Sequence, residues 1–92
     1  MVESQLGQFK LVRVLDLGGL VFSKLDKAVG KLRLLNYLGL RFSVFHELPS
    51  TIGNMKQLQT LDLWCDDNTQ YASIIIPNVL WKMSQLKHLY LR

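Results

Sequence analysis

Ninety-two residues make one small domain, and a composition that is 49% hydrophobic and 20% charged excludes a disordered chain. No apolar run approaches the roughly 20 residues that span a bilayer, which leaves no membrane span in the sequence. The net charge of +4, from eleven Lys and Arg against seven acids, would suit an anionic partner until the positions of those charges are considered.

The opening residues Met1 to Gln5 carry neither the basic nor the apolar region of a signal peptide. Residues Val2 to Phe9 then match a frame that recurs downstream, with Leu6-Gly7 in the place of Val29-Gly30 and Ile52-Gly53. From Phe9 a phrase begins that is written four times, over residues 9–17, 32–40, 55–63 and 83–91. Its copies are Phe9-x-x-Val12-x-x-Leu15-x-Leu17, Leu32-x-x-Leu35-x-x-Leu38-x-Leu40, Met55-x-x-Leu58-x-x-Leu61-x-Leu63 and Met83-x-x-Leu86-x-x-Leu89-x-Leu91. The starts are spaced by 23, 23 and 28 residues, within the period of leucine-rich repeats.

The paired leucines alternate in period 2, so both point to one side and the residue between them to the other. This predicts short strands at Val14–Leu17, Tyr37–Leu40, Thr60–Leu63 and His88–Leu91. Strands from one phrase repeated in one direction must run parallel, about 4.8 Å apart. The predicted fold class is therefore an α/β solenoid of about four coils, with a concave parallel sheet and a short-helical or irregular convex side. A single segment, 1–92, makes up the whole.

The connecting halves are just as regular. Lys24 to Leu32, Glu47 to Met55 and Ile75 to Met83 align, which sends Leu25, Leu48 and Ile76 into the core together with Val29, Ile52 and Leu80. Pro49 and Pro77 fix φ at the start of a short helical or 3₁₀ turn. Gly30 and Gly53 follow the apolar anchor, where a turn commonly needs positive φ. Trp81 replaces them in the last coil, and the backbone is expected to differ there. Leu63 to Ile76 is five residues longer than Leu40 to Leu48, which predicts a polar surface insertion at about 66–73. Insertions in repeat proteins gather on one face, often the binding face. Neither end shows the polar capping coil a solenoid needs, so the chain reads as an uncapped fragment that is marginally stable alone.

Little in the sequence points to catalysis. Cys65 and His88 lie one coil apart, and His46 sits in a connection, so no nucleophile and base are paired. Asp66-Asp67-Asn68 lacks the distal glutamate of a calcium loop. No metal, cofactor or catalytic residue is expected, and the chain is not read as an enzyme. Lys10, Arg33 and Lys56 share one slot of successive repeats and form a solvated flank. Without interleaved aromatics this flank does not predict nucleic-acid binding. The single Cys65 and the absence of an Asn-x-Ser/Thr sequon favour a reducing compartment, the cytoplasm.

Binding is the better expectation. On the concave face the candidate protein-binding residues are Arg13, Asp16, Tyr37, Arg41, Phe42, Gln59, Asp62, Trp64, His88 and Tyr90. Aromatics and arginine dominate interface energetics, although the same rings could pack on neighbouring coils or on a further domain. Asp16 and Asp62 repeat in register and would serve to keep the strands soluble.

The phrases Phe9 to Leu17, Glu47 to Leu63 and Ile76 to Leu91 together resemble the leucine-rich repeat region of plant intracellular nucleotide-binding leucine-rich repeat (NLR) disease-resistance proteins of the coiled-coil type. Secreted plant repeats carry a Gly-x-Ile-Pro phrase and paired capping cysteines, and neither occurs here. The resemblance implies a protein partner: a pathogen effector, a guarded host protein or the receptor's own nucleotide-binding domain. It also implies a role in recognition and in restraining the switch. Gly30-Lys31 lacks the rest of a phosphate loop, so no nucleotide binding is expected. A truncated gene product and a free-standing intracellular scaffold are the alternative readings.

Overall fold

The computed structural model describes residues 10–19, 25–43, 46–64 and 75–91. Within them, four three-residue strands form one parallel sheet in sequence order: β1 (Val14–Asp16), β2 (Tyr37–Gly39), β3 (Thr60–Asp62) and β4 (His88–Tyr90). The register pairs Leu15, Leu38, Leu61 and Leu89 along a single row, as one phrase repeated in one direction requires. Each strand is one residue shorter than the alternation predicts. The ladder nonetheless continues, because the amides of Leu17, Leu40 and Leu63 donate to the carbonyls of Gly39, Asp62 and Tyr90 at 2.7–2.8 Å.

Opposite the sheet, the described residues form three 3₁₀ helices of five residues each, Lys27–Lys31, Ser50–Asn54 and Asn78–Lys82. Five residues between apolar anchors suffice for one tight turn and not for an α-helix, so the convex side stays short. Pro49 and Pro77 occupy the N-cap position with φ of −73° and −70°. Asp26 takes that place in the first 3₁₀ helix, and its carboxylate accepts the Ala28 amide at 2.7 Å.

Between the two layers sits a ladder of apolar side chains. Val29, Leu32, Leu35 and Leu38 in one coil, and Ile52, Met55, Leu58 and Leu61 in the next, have no exposed surface. Leu25, Leu48 and Leu80 are buried as expected, whereas Ile76 is only half-buried. Val12, Leu15, Leu86 and Leu89 of the outer coils pack against the same core while keeping one side open. The core-facing positions of the two inner coils are therefore covered from both sides, whereas several of those in the first and last described strands are covered only in part.

Two expectations for the convex side are corrected. Gly30 and Gly53 do not take positive φ; among the described residues only Gly19 and Phe42 do. Both glycines lie inside 3₁₀ helices and are buried there. Their role is close approach: a Cβ on Gly30 would stand 2.6 Å from the Thr51 carbonyl oxygen, and one on Gly53 would overlap Val79. The missing side chain lets consecutive helices stack, a contact reinforced by the Thr51 hydroxyl donating to the Lys27 carbonyl at 2.7 Å. Trp81 does not alter the backbone either. It sits in a five-residue 3₁₀ helix like the others, 64% exposed, on the flank where the glycines of the inner coils meet the next helix.

Glu47 bridges Ile75 in parallel, and Leu48 donates to the Ile75 carbonyl at 3.1 Å. The chain is thus back in register by residue 75, with the 28-residue offset that also relates β3 to β4. The inserted segment at 66–73 falls outside the described residues, as do Val2 to Phe9, Cys65 and the Asp66-Asp67-Asn68 run.

Candidate protein-binding face

The outward positions of the sheet form cross-strand rows. Val14, Tyr37, Thr60 and His88 make one, and Asp16, Gly39, Asp62 and Tyr90 the next. Just past the strands stand Gly18, Arg41 and Trp64. At Gly39 the row lacks a side chain: a Cβ there would lie 2.8 Å from the Tyr37 ring. That vacancy lets Tyr37 lean across β2, bringing its hydroxyl to within 3.5 Å of Asp62 Oδ2.

Asp62 organises what surrounds it. Only 6% exposed, it accepts the Trp64 amide on Oδ1 at 3.1 Å and meets Arg41 Nε on Oδ2 at 2.9 Å. Arg41 in turn lies over the Trp64 ring, its guanidinium carbon 5.2 Å from the centroid, and Phe42 meets the same ring edge-on at 5.2 Å and 88°. Tyr37, Arg41, Phe42, Asp62 and Trp64 therefore form one connected group over coils two and three. The expectation that Asp16 and Asp62 keep the strands soluble is corrected for Asp62, whereas Asp16 is exposed. Asp62 is buried, and each carboxylate accepts the amide two residues on, Gly18 for Asp16 at 2.9 Å. This turn is the local habit of aspartate.

Phe42 has φ of +58°, where the first coil places Gly19 at +80°. Left-handed backbone costs a residue with a Cβ roughly 1–2 kcal/mol. An edge-to-face pair returns about 0.5–1.5 kcal/mol, so the ring contact with Trp64 roughly offsets the strain. The Phe42 amide also donates to the Trp64 carbonyl at 3.2 Å.

The other candidates lie apart from this group. His88 and Tyr90 stack on each other along β4, with planes 4° apart and centroids at 6.2 Å, and His88 Nδ1 is 3.4 Å from the Thr60 hydroxyl. Arg13 and Gln59 are exposed at the start of their strands, where their carbonyls accept the amides of the following coil. Lys10, Arg33 and Lys56 are all exposed on the flank. Shallow hollows such as the one bordered by Leu25, Asp26, Glu47 and Pro49 belong to the convex side and do not reach the aromatic group. Among the described residues no three His, Cys, Asp or Glu side chains converge on a metal-sized site, and no helix is long and apolar enough to cross a membrane.

The Tyr37 phenol is pushed above its ordinary pKa of about 10, first by burial, then by the charges of Asp62 and Asp16 and the hydrogen bond to Asp62; Arg41 pulls the other way. A raised acid favours the folded state while it is protonated. Its contribution is complete below the unfolded-state pKa and is lost as pH rises past it towards the higher folded value. Denaturant melts between pH 9 and 11 should show the wild type losing stability more steeply than Tyr37→Phe. Parallel curves for the two proteins would refute this.

Four parallel strands in register, leucines facing inward and 3₁₀ turns on the outside define a leucine-rich repeat solenoid. The profile of the leucine-rich repeat region matches residues 1–92, and the chain belongs to that family. Among solved structures, a leucine-rich repeat protein of Leptospira interrogans is similar, with a TM-score of 0.68 and 28% identity over 92% of this chain. The chain spans 26% of that protein's length. Among curated proteins none matches. Leucine-rich repeat domains are typically non-enzymatic scaffolds that mediate protein–protein interaction.

Proposed function

We propose that the chain is a protein-interaction segment of a plant intracellular disease-resistance receptor of the NLR type, working in the cytoplasm through its concave sheet. The observation that carries the interaction reading is the joined group of Arg41, Phe42 and Trp64 on the concave side, three interface-forming residues held on a rigid ladder. The receptor reading is supported by the sequence phrases around Glu47 to Leu63 and Ile76 to Leu91. Its partner would be a pathogen effector, a guarded host protein or the receptor's own nucleotide-binding domain.

Two measurements test this reading, the first the concave face and the second the receptor against a free-standing scaffold. A photo-crosslinking side chain at exposed Gln59 on the concave face, compared with one at exposed Gln57 on the flank, should yield protein adducts in plant cytosol from Gln59 alone. Equal yields would count against the concave face. Sequencing of the genomic locus upstream of Met1 should reveal an in-frame phosphate loop; a locus without one would overturn the receptor assignment and leave the scaffold.

A further inference from the structure

We infer that Arg41, Phe42 and Trp64 form a preassembled subsite for a segment of a partner protein that places an Asp or Glu beside an apolar side chain. The inference rests on the concave face being the interaction surface and names the chemistry that surface selects.

Arg41 supplies the charge. Its contact with Asp62 runs through Nε at 2.9 Å, which uses one of the five guanidinium N–H donors. The side chain is 52% exposed, so the remaining donors form a fork of the shape a carboxylate accepts with both oxygens. Asp62 fixes the orientation of this fork, because that carboxylate is buried and is itself held by the Trp64 amide and the Tyr37 hydroxyl. The Trp64 ring beneath limits the guanidinium plane further. The described concave positions carry Arg13, Arg41 and Lys87 against Asp16 as the exposed acid. A carboxylate approaching this face therefore meets net positive charge.

Phe42 and Trp64 supply the apolar half. They are 51% and 38% exposed and meet edge-to-face directly beside Arg41. Phe42 holds its ring there from left-handed backbone, at a position where the first coil uses glycine. Strain of this kind concentrates where a side chain must be aimed. A nucleic acid fits less well, because Arg41 already lies over the Trp64 ring on which a base would stack.

The probe is a displayed library of random dodecapeptides selected on the immobilised 92-residue chain. Selected peptides should be enriched in Asp or Glu within two positions of Leu, Ile, Phe or Trp. Their binding should weaken at least tenfold on Arg41→Gln, while Lys56→Gln, which removes the same charge from the flank, leaves it unchanged. Phe42→Gly relieves the backbone while deleting the ring; it should weaken binding several-fold without lowering the melting temperature, so misfolding cannot account for the loss. Selections lacking acidic residues, equal effects of Arg41→Gln and Lys56→Gln, or no enrichment over a blank surface would each overturn the subsite. Peptides lost on Tyr90→Ala but not on Arg41→Gln would overturn it and leave the concave-face reading standing. Peptides sensitive only to Lys56→Gln would overturn both.

Discussion

Gly30→Ala should destabilise the chain, against the usual direction of that substitution. At ordinary backbone angles, replacing glycine by alanine stabilises by about 0.4–1 kcal/mol, because the unfolded chain has fewer conformations to lose. Gly30 meets that condition, since it lies in a 3₁₀ helix without positive φ. Space decides the sign instead. The new methyl group would stand 2.6 Å from the Thr51 carbonyl oxygen and 2.8 Å from Thr51 Cβ. The obstacle is mainly backbone, and Thr51 is tied to Lys27 by its own hydroxyl, so relief requires moving one coil against the next. Overpacking of this kind costs about 1–3 kcal/mol, which exceeds the entropic gain. Gly53→Ala meets only the Val79 side chain, and Val79→Ala should restore much of what it loses. Urea unfolding followed by circular dichroism measures both. A Gly30→Ala protein as stable as the wild type would show that the stacking is looser than described.

The reason this role of glycine is not legible in the sequence is physical. Gly30 and Gly53 follow an apolar anchor, a context shared by turns that need positive φ and by helices that need close approach. Only the position of the neighbouring coil separates the two. The Leu-x-Leu alternation, by contrast, encodes both strand and facing direction, so the parallel order and the register of all four strands can be read directly from it. Trp81 misleads for the same reason as the glycines: what the slot constrains is room on the next coil, not backbone angle. On the concave face the sequence identifies which residues point outward but not which of them touch. The link from Tyr37 through Asp62 to Arg41 and Trp64 spans 27 residues of chain. It also depends on the missing side chain of Gly39, a position whose only visible feature is its place in the alternation. The aspartate turns are within reach of the sequence, since Asp16 and Asp62 each precede by two residues the amide they accept. Their repetition in register points to solubility and hides that local habit.

Asp62→Ala and Asp16→Ala offer a paired measurement in which one phrase position gives two different outcomes. Both aspartates turn the chain out of its strand by accepting an amide two residues later. Asp16 does so in the open, where water replaces a lost carboxylate, and its removal should cost no more than about 0.5 kcal/mol. Asp62 is buried, and its loss strands the Trp64 amide, leaves the Tyr37 hydroxyl without its acceptor and frees Arg41 from Nε contact. The ion pair itself adds little, since Arg41 is half exposed and solvent screens it. Most of the loss comes from the polar groups left unsatisfied, about 1–3 kcal/mol. Asp62→Asn separates these contributions: an amide oxygen still accepts from Trp64, so most of the stability should return while the hold on Arg41 weakens. Thermal melts should rank the proteins wild type, Asp16→Ala, Asp62→Asn and Asp62→Ala in decreasing order. Trp64 fluorescence, read in a Trp81→Phe background to silence the second tryptophan, should shift only in the two Asp62 variants. Equal melting temperatures for Asp16→Ala and Asp62→Ala would mean that Asp62 does not organise the aromatic group, and that the group's order comes from ring packing alone.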